Sequence, residues 1–262
     1  MPTTALDGLE LHYEERGSGR PLLLVAGIPA VASDWSPLAE RLSGSRRVIA
    51  YDNRGSGGST VTPGPYSTAL LAADAAALLD FLGIERADVF GMSLGGMIAQ
   101  ELALHHPERV DRLVLGCTHC GVRDSAPMPR ETGRAFAMET DDWALRMRTL
   151  APFAFARDVD PELLERFVEK KSGDVQDIAG YRAQVAAVLA HDTYARLPEI
   201  GSPTLVLTGD DDQVIPAPSS QVLHDRIPDS LLYVIRGAGH LFFLERPDET
   251  VRALESFVPA GC

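Results

Sequence analysis

Cysteine is scarce: Cys117, Cys120 and Cys262 are the only three in 262 residues. That number excludes a disulfide framework, so burial of apolar surface must hold the chain together. Positive charge is short as well. Twenty-four basic residues face 37 acidic ones, for a formal charge of -13, and no basic stripe is left for nucleic acid or an anionic membrane. No apolar run approaches the length of a membrane span. Met1-Pro2-Thr3-Thr4 is not a basic segment leading into an apolar one, so a cytoplasmic protein is expected. Internal repeats and low-complexity tracts are missing too. Cys117-Thr118-His119-Cys120 has redox or metal spacing, but no second cluster supplies the remaining ligands of a zinc site. It reads as small residues filling space at a strand end, and no metal is expected.

What is present is 45% hydrophobic residues over 262 positions, enough for one sizeable core in a single domain, with or without an insertion. Buried strands are expected at Leu22 to Ala26, Val48 to Tyr51, Asp88 to Met92, Leu113 to Cys117, Thr204 to Thr208 and Leu231 to Ile235. Helical patterns lie between most of them, as at Leu70 to Leu82 and at Met97 to His105, which Pro107 ends. This alternation predicts an α/β fold with a mostly parallel sheet covered on both faces. Thr3 to Arg16, with Asp7-Gly8 at its middle, reads as an antiparallel hairpin at the sheet edge. Pro63-Gly64-Pro65 reads as a rigid surface loop. The rhythm breaks from about Ser125 to Leu197, where the pattern is helical throughout. The expected organisation is therefore a core of residues 1–124 and 198–262 with a helical cap of residues 125–197. A cap over the carboxyl edge of the sheet would cover the place where such sheets bind ligands.

The chemistry gathers on Gly91-Met92-Ser93-Leu94-Gly95-Gly96, between a strand and a helix. A sharp strand-to-helix corner needs small neighbours and leaves its serine exposed at the helix's positive end, which marks Ser93 as a candidate nucleophile. A serine hydroxyl needs a base, and the base needs a third group to hold its tautomer. His240, in Gly237-Ala238-Gly239-His240 after a strand, is the one histidine of seven with that placement. His105 and His106 end a helix, His191 and His224 lie in helical patterns and His12 is in the hairpin. Asp210-Asp211-Asp212 follows another strand. Crowded like charges raise one another's pKa, so the three are not equivalent, and chemistry alone leaves open which is the acid. The backbone amides of Leu94 and Ile28, the latter next to Gly27, are candidates for an oxyanion hole.

Taken together these motifs resemble the α/β-hydrolase superfamily over nearly the whole chain apart from the cap. The serine corner is similar to its nucleophile elbow and Gly237 to His240 to its histidine loop. Gly209 to Pro216 is similar to its Gly-x-x-Asp-x-x-x-Pro acid loop, which selects Asp212 with Asp211 as the fallback. Asp52-Asn53-Arg54-Gly55-Ser56-Gly57-Gly58-Ser59 resembles the family's structural turn and lacks the lysine of a phosphate-binding loop. Tyr51 to Gly55, Thr62 to Ser67 and the stretch from Gly180-Tyr181 into Pro203 resemble the 3-oxoadipate enol-lactonase-like branch. Two departures stand out, Ala26 and Ser56, where histidine is frequent. The resemblance implies a cofactor-independent serine hydrolase of a small carboxylic ester or lactone, using Ser93, His240 and Asp212, as a monomer or homodimer. Met92, Trp143, Phe153, Tyr181 and Leu241 are expected to line its pocket. The same fold hosts carbon-carbon cleavage, lyases, cofactor-free peroxidation and ligand-binding receptors, which are the competing expectations.

Overall fold

The computed structural model describes residues 3–6 and 8–258. Its strands are β1 (Thr3–Leu6), β2 (Leu9–Arg16), β3 (Arg20–Val25), β4 (Arg46–Tyr51), β5 (Ala87–Met92), β6 (Val110–Gly116), β7 (Thr204–Gly209) and β8 (Ser230–Ile235). They form one sheet in the order β1-β2-β4-β3-β5-β6-β7-β8. The first three pair antiparallel and every pair from β4 onward is parallel. The helices are α1 (Ser36–Leu42), α2 (Thr68–Phe81), α3 (Leu94–His105), α4 (Arg130–Phe136), α5 (Trp143–Leu150), α6 (Pro161–Gly173), α7 (Ile178–Ala190), α8 (Pro218–Arg226), α9 (Phe242–Glu245) and α10 (Pro247–Phe257).

The continuous apolar runs follow from a sheet covered on both faces. In β3, Leu23 and Val25 join a cluster with Leu71 and Leu78 of α2, Ile98 and Leu102 of α3 and Leu223 of α8. Leu22 and Leu24, pointing the other way, join Leu38 and Leu42 of α1, Phe242 of α9 and Val251 and Leu254 of α10. Each such side chain taken out of water stabilises the fold by roughly 1.5–3 kcal/mol. Crossover helices leave the carboxyl ends of the parallel strands as open corners, and the candidate residues sit there.

The expected strands and the two expected helices are all present, with three differences. Helix α3 begins at Leu94 rather than Met97, because Gly95 and Gly96 carry no apolar side chain to announce a turn of helix that is nonetheless packed. Leu231 to Ile235 forms a strand, but not a buried one: Leu231 is 58% and Tyr233 41% exposed. Among the described residues strand β8 has β7 as its only neighbour, and an apolar run records strand character without recording position in the sheet. His191 lies just beyond α7 as its C-cap rather than within it. In the hairpin β1 pairs with β2 at the sheet edge and Gly8 has φ +89°, while Asp7 lies outside the described residues, as does Cys262.

From residue 125 to residue 199 the described chain holds α4 to α7 and two 3-10 turns, Ala151–Ala154 and Tyr194–Glu199, the second running two residues past the expected end of the helical segment. Trp143, Met147, Leu150 and Tyr181 make a separate small core there, against which Ile28 packs. No helix among the described residues is long and apolar enough to cross a membrane.

Candidate active site

Ser93 joins β5 to α3 with φ 56° and ψ -122°, a conformation costly for any residue that has a Cβ. The surroundings hold it. Its amide donates to the Gly116 carbonyl at 2.9 Å, and the Ser93 carbonyl accepts the Thr118 hydroxyl at 2.8 Å. The corner closes only because two positions lack side chains. A Cβ at Gly91 would lie 2.1 Å from the Gly95 carbonyl oxygen, and one at Gly95 would lie 2.0 Å from that of Val25. Ser93 stays half-buried, at the end of α3 where unpaired amides face outward.

The acid and histidine loops follow β7 and β8. Asp212 Oδ1 accepts the amides of Val214 and Ile215 at 2.8 and 2.9 Å, and Oδ2 lies 2.8 Å from His240 Nδ1. Both side chains are buried. The neighbouring aspartates have other partners. Asp210 accepts the Gly237 amide at 2.7 Å, tying the acid loop to the histidine loop. Asp211 accepts the Arg157 amide at 2.6 Å and pairs with the Arg157 guanidinium. No hydrogen bond joins the Ser93 hydroxyl to His240 among the described residues; such bonds often tighten only when substrate is bound. Other histidines are committed elsewhere: His12 Nδ1 lies 2.9 Å from Asp52, His224 Nδ1 lies 2.9 Å from Ser230 and His105 Nε2 lies 3.1 Å from Glu101.

A strip of the helical segment, Ala154 to Arg157, stitches the two loops together. The Leu241 amide donates to the Ala154 carbonyl at 2.8 Å and the Gln213 side chain to the Phe155 carbonyl at 3.0 Å. Glu245 accepts the amides of Ala156 and Gly239 at 2.9 and 2.7 Å. Burial nevertheless raises the Glu245 carboxyl above its ordinary pKa, the two amides opposing it only in part.

Both nominated amide donors belong to backbone next to Ser93, Leu94 directly after it in the chain and Ile28 directly after Gly27. A Cβ at Gly27 would come within 2.8 Å of the Ser93 Cβ, so Ile28 follows a backbone pressed against the serine. Neither the Ile28 nor the Leu94 amide donates to a protein acceptor among the described residues. The turn from Asp52 to Ser59 braces this loop. Asn53 donates to the Ala26 carbonyl at 2.8 Å. Asp52 accepts the Ala32 amide at 2.6 Å, and also the Gly58 amide and His12 at 2.8 and 2.9 Å. With alanine at position 26, a side chain from the turn supplies support to the loop; Ser56 closes the turn itself through the Asn53 carbonyl at 2.9 Å.

Of the residues expected to line a pocket, Trp143 and Tyr181 stack edge to face at 5.8 Å in the small core that touches Ile28. Met92 is buried with Phe90 in the sheet cluster, while Leu241 and Phe153 are half-buried, the first directly after His240. Cys117 is a residue the sequence did not flag for this site. Its sulfur and one ligand atom each of Asp212 and His240 lie within 4.8 Å of one another, a juxtaposition of strand ends that no spacing announces. The trio is a poor metal cradle. Asp212 and His240 already engage each other, Asp212 Oδ1 is taken by two amides, and burial pushes the Cys117 thiol well above its usual range, keeping it protonated.

A family model described as the alpha/beta hydrolase family matches residues 22–253. A putative carbamate hydrolase RutD of Azorhizobium caulinodans is 32% identical, over 95% of this chain and 94% of its own. The 3-oxoadipate enol-lactonase 2 of Acinetobacter baylyi is 30% identical over 97% of this chain and 95% of its own. The structure of Est816, described as an N-acyl homoserine lactone degrading enzyme, superposes with a TM-score of 0.86 at 32% identity, covering 98% of this chain and 100% of that one.

Proposed function

The chain belongs to the alpha/beta hydrolase family, and from that premise we propose that it is a cofactor-independent serine hydrolase that cleaves a small carboxylic ester or lactone. The observation that carries the reading is the buried Asp212–His240 pair, 2.8 Å apart, on the same sheet edge as the strained Ser93 corner. Ser93 Oγ attacks the substrate carbonyl and His240 takes its proton. Asp212, anchored by two amides, holds the imidazole with Nδ1 protonated so that Nε2 is the free base. The amides of Leu94 and Ile28 receive the negative oxygen of the tetrahedral intermediate. His240 then returns the proton to the leaving oxygen, and water cleaves the acyl-enzyme. In a lactone the leaving alkoxide stays attached, so the acyl-enzyme is a ring-opened chain. The ester and lactone assignment leans on relatives named for lactones and on the small aromatic core of Trp143 and Tyr181 resting against Ile28.

A panel of short-chain esters and lactones, run on the wild type and on Ser93→Ala, tests this directly. Turnover is expected in the wild type and should fall about a millionfold in the variant. Oxygen from labelled water should appear in the acid product. Ordinary ester turnover by a folded Ser93→Ala protein would sink the assignment. Product free of solvent oxygen would point instead to carbon-carbon cleavage without hydrolysis, lyase or peroxidase chemistry on the same fold.

A further inference from the structure

Lys170 and Lys171 are the only lysines in the chain, against 22 arginines, and both reach Asp34. Lys170 does so from a side chain 47% exposed, Lys171 from one only 2% exposed. The buried ammonium makes two bonds. Lys171 Nζ donates to Asp34 Oδ2 at 2.8 Å and to the Pro29 carbonyl at 3.2 Å; a second carboxylate, Asp174, is 3.8 Å away. Lys171 belongs to α6, and the Trp143 indole donates to its backbone carbonyl at 2.8 Å.

Pro29 comes directly after Ile28. A proline has no amide hydrogen, so its carbonyl is the only backbone group by which that residue can be held. Asp34 Oδ2 also accepts the Val31 amide at 2.9 Å, so a single carboxylate oxygen holds both the ammonium and the far side of the loop. Burial pushes the Asp34 carboxyl upward, but the two lysines and this amide outweigh it and leave it below its ordinary value. The loop is thus pinned at Ala26 by Asn53, at Pro29 by Lys171 and at Val31 by Asp34. Only the middle pin comes from the helical segment over the sheet. Attaching that segment would not need a buried charge, since withdrawing an ammonium from water costs several kcal/mol before its partners repay it.

We propose that Lys171 is a positioning residue for the oxyanion loop: through the Pro29 carbonyl it holds the adjacent Ile28 amide where the developing negative oxygen must meet it. This rests on the reading of Ser93 as the nucleophile. Docking of the α6 segment and ordering of the second oxyanion donor are then one event, made through one side chain.

A fluorophosphonate probe tests the inference without a known substrate, because phosphonylation of an active serine uses the same oxyanion donors. The wild type is expected to be labelled at Ser93, read by intact mass and peptide mapping. In Lys171→Met the labelling rate should fall about 10- to 100-fold, measured well below the melting temperature. On the best ester, kcat should fall while KM stays within about threefold, a split that loss of packing alone would not produce. Lys170→Met, which removes the exposed charge from the same carboxylate, should label within about twofold of wild type. Should Lys171→Met fail to fold, the double variant Lys171→Met with Asp34→Asn leaves no unpaired buried charge and carries the same expectation. Wild-type labelling with an unslowed Lys171 variant, or equal slowing by Lys170→Met, overturns the proposal while leaving the Ser93 reading intact. A wild type that is not labelled at Ser93 overturns that reading and the proposal with it.

Discussion

Among the three adjacent aspartates, the way the loops meet rather than order in the chain decides which one faces His240. Asp212 Oδ1 faces two amides and Oδ2 faces His240. In Asp212→Asn the side-chain oxygen must stay toward the two donors, which turns the amide nitrogen to His240 Nδ1. That nitrogen then has to accept, the ring proton moves to Nε2, and the base needed beside Ser93 is lost. The expected result is a fall in kcat of about ten-thousandfold with the fold intact. Asp211→Asn breaks a pairing with Arg157, a side chain 66% exposed, and should leave kcat within a few-fold. Steady-state rates of both variants on one ester decide the matter, and equal losses would reject Asp212 as the acid. The chemistry of the residues left three candidates for the acid and only the resemblance of Gly209 to Pro216 to a known loop pointed to Asp212, because partner choice depends on how two loops approach each other.

Helix α3 and the corner before it show how an element can be positioned by what is missing. A methyl at Gly95 would lie 2.0 Å from the Val25 carbonyl and 2.9 Å from that of Ala26. Both are backbone atoms that cannot turn aside. Gly95→Ala should therefore push α3 away from β3, costing about 1–3 kcal/mol and moving the Leu94 amide along with the helix. Gly133 is a control, lying inside α4 with no atom within 4 Å of an added Cβ. Gly133→Ala should be neutral or stabilise by about 0.5–1 kcal/mol. Urea denaturation of the pair checks both, and a Gly95→Ala protein as stable and active as wild type would contradict the packing argument. Here the sequence was informative: two glycines flanking a serine after an apolar run announced a tight corner. It marked β8 as a buried strand, whereas Leu231, Tyr233 and Val234 are exposed at the sheet edge.

At the scale of the whole molecule, acid stability should be governed by two histidines outside the proposed triad. Burial lowers the pKa of His119 to about 4, and burial together with the nearby His119 and Arg196 lowers that of His191 to about 3. Unfolded, each titrates near 6.5. The unfolded chain then binds more protons between those values, so stability is complete above about pH 6.5 and falls as the pH drops toward 4 and then 3. At pH 5 the loss is roughly 2 kcal/mol for each histidine. Urea midpoints at pH 7 and pH 5 measure it, and His191→Gln should flatten the difference; an unchanged slope would show that other groups control it. The sequence by itself determined the layered α/β order, the serine corner and the three strand-end loops of the proposed site, because periodicity, glycine and chain order are local properties. It gave no sign that Lys171 crosses to Pro29, that Cys117 meets Asp212 and His240, or that Glu245 bridges Ala156 and Gly239. Only the tertiary structure decided these, since each joins segments far apart in the chain and depends on where the parallel strands end in space.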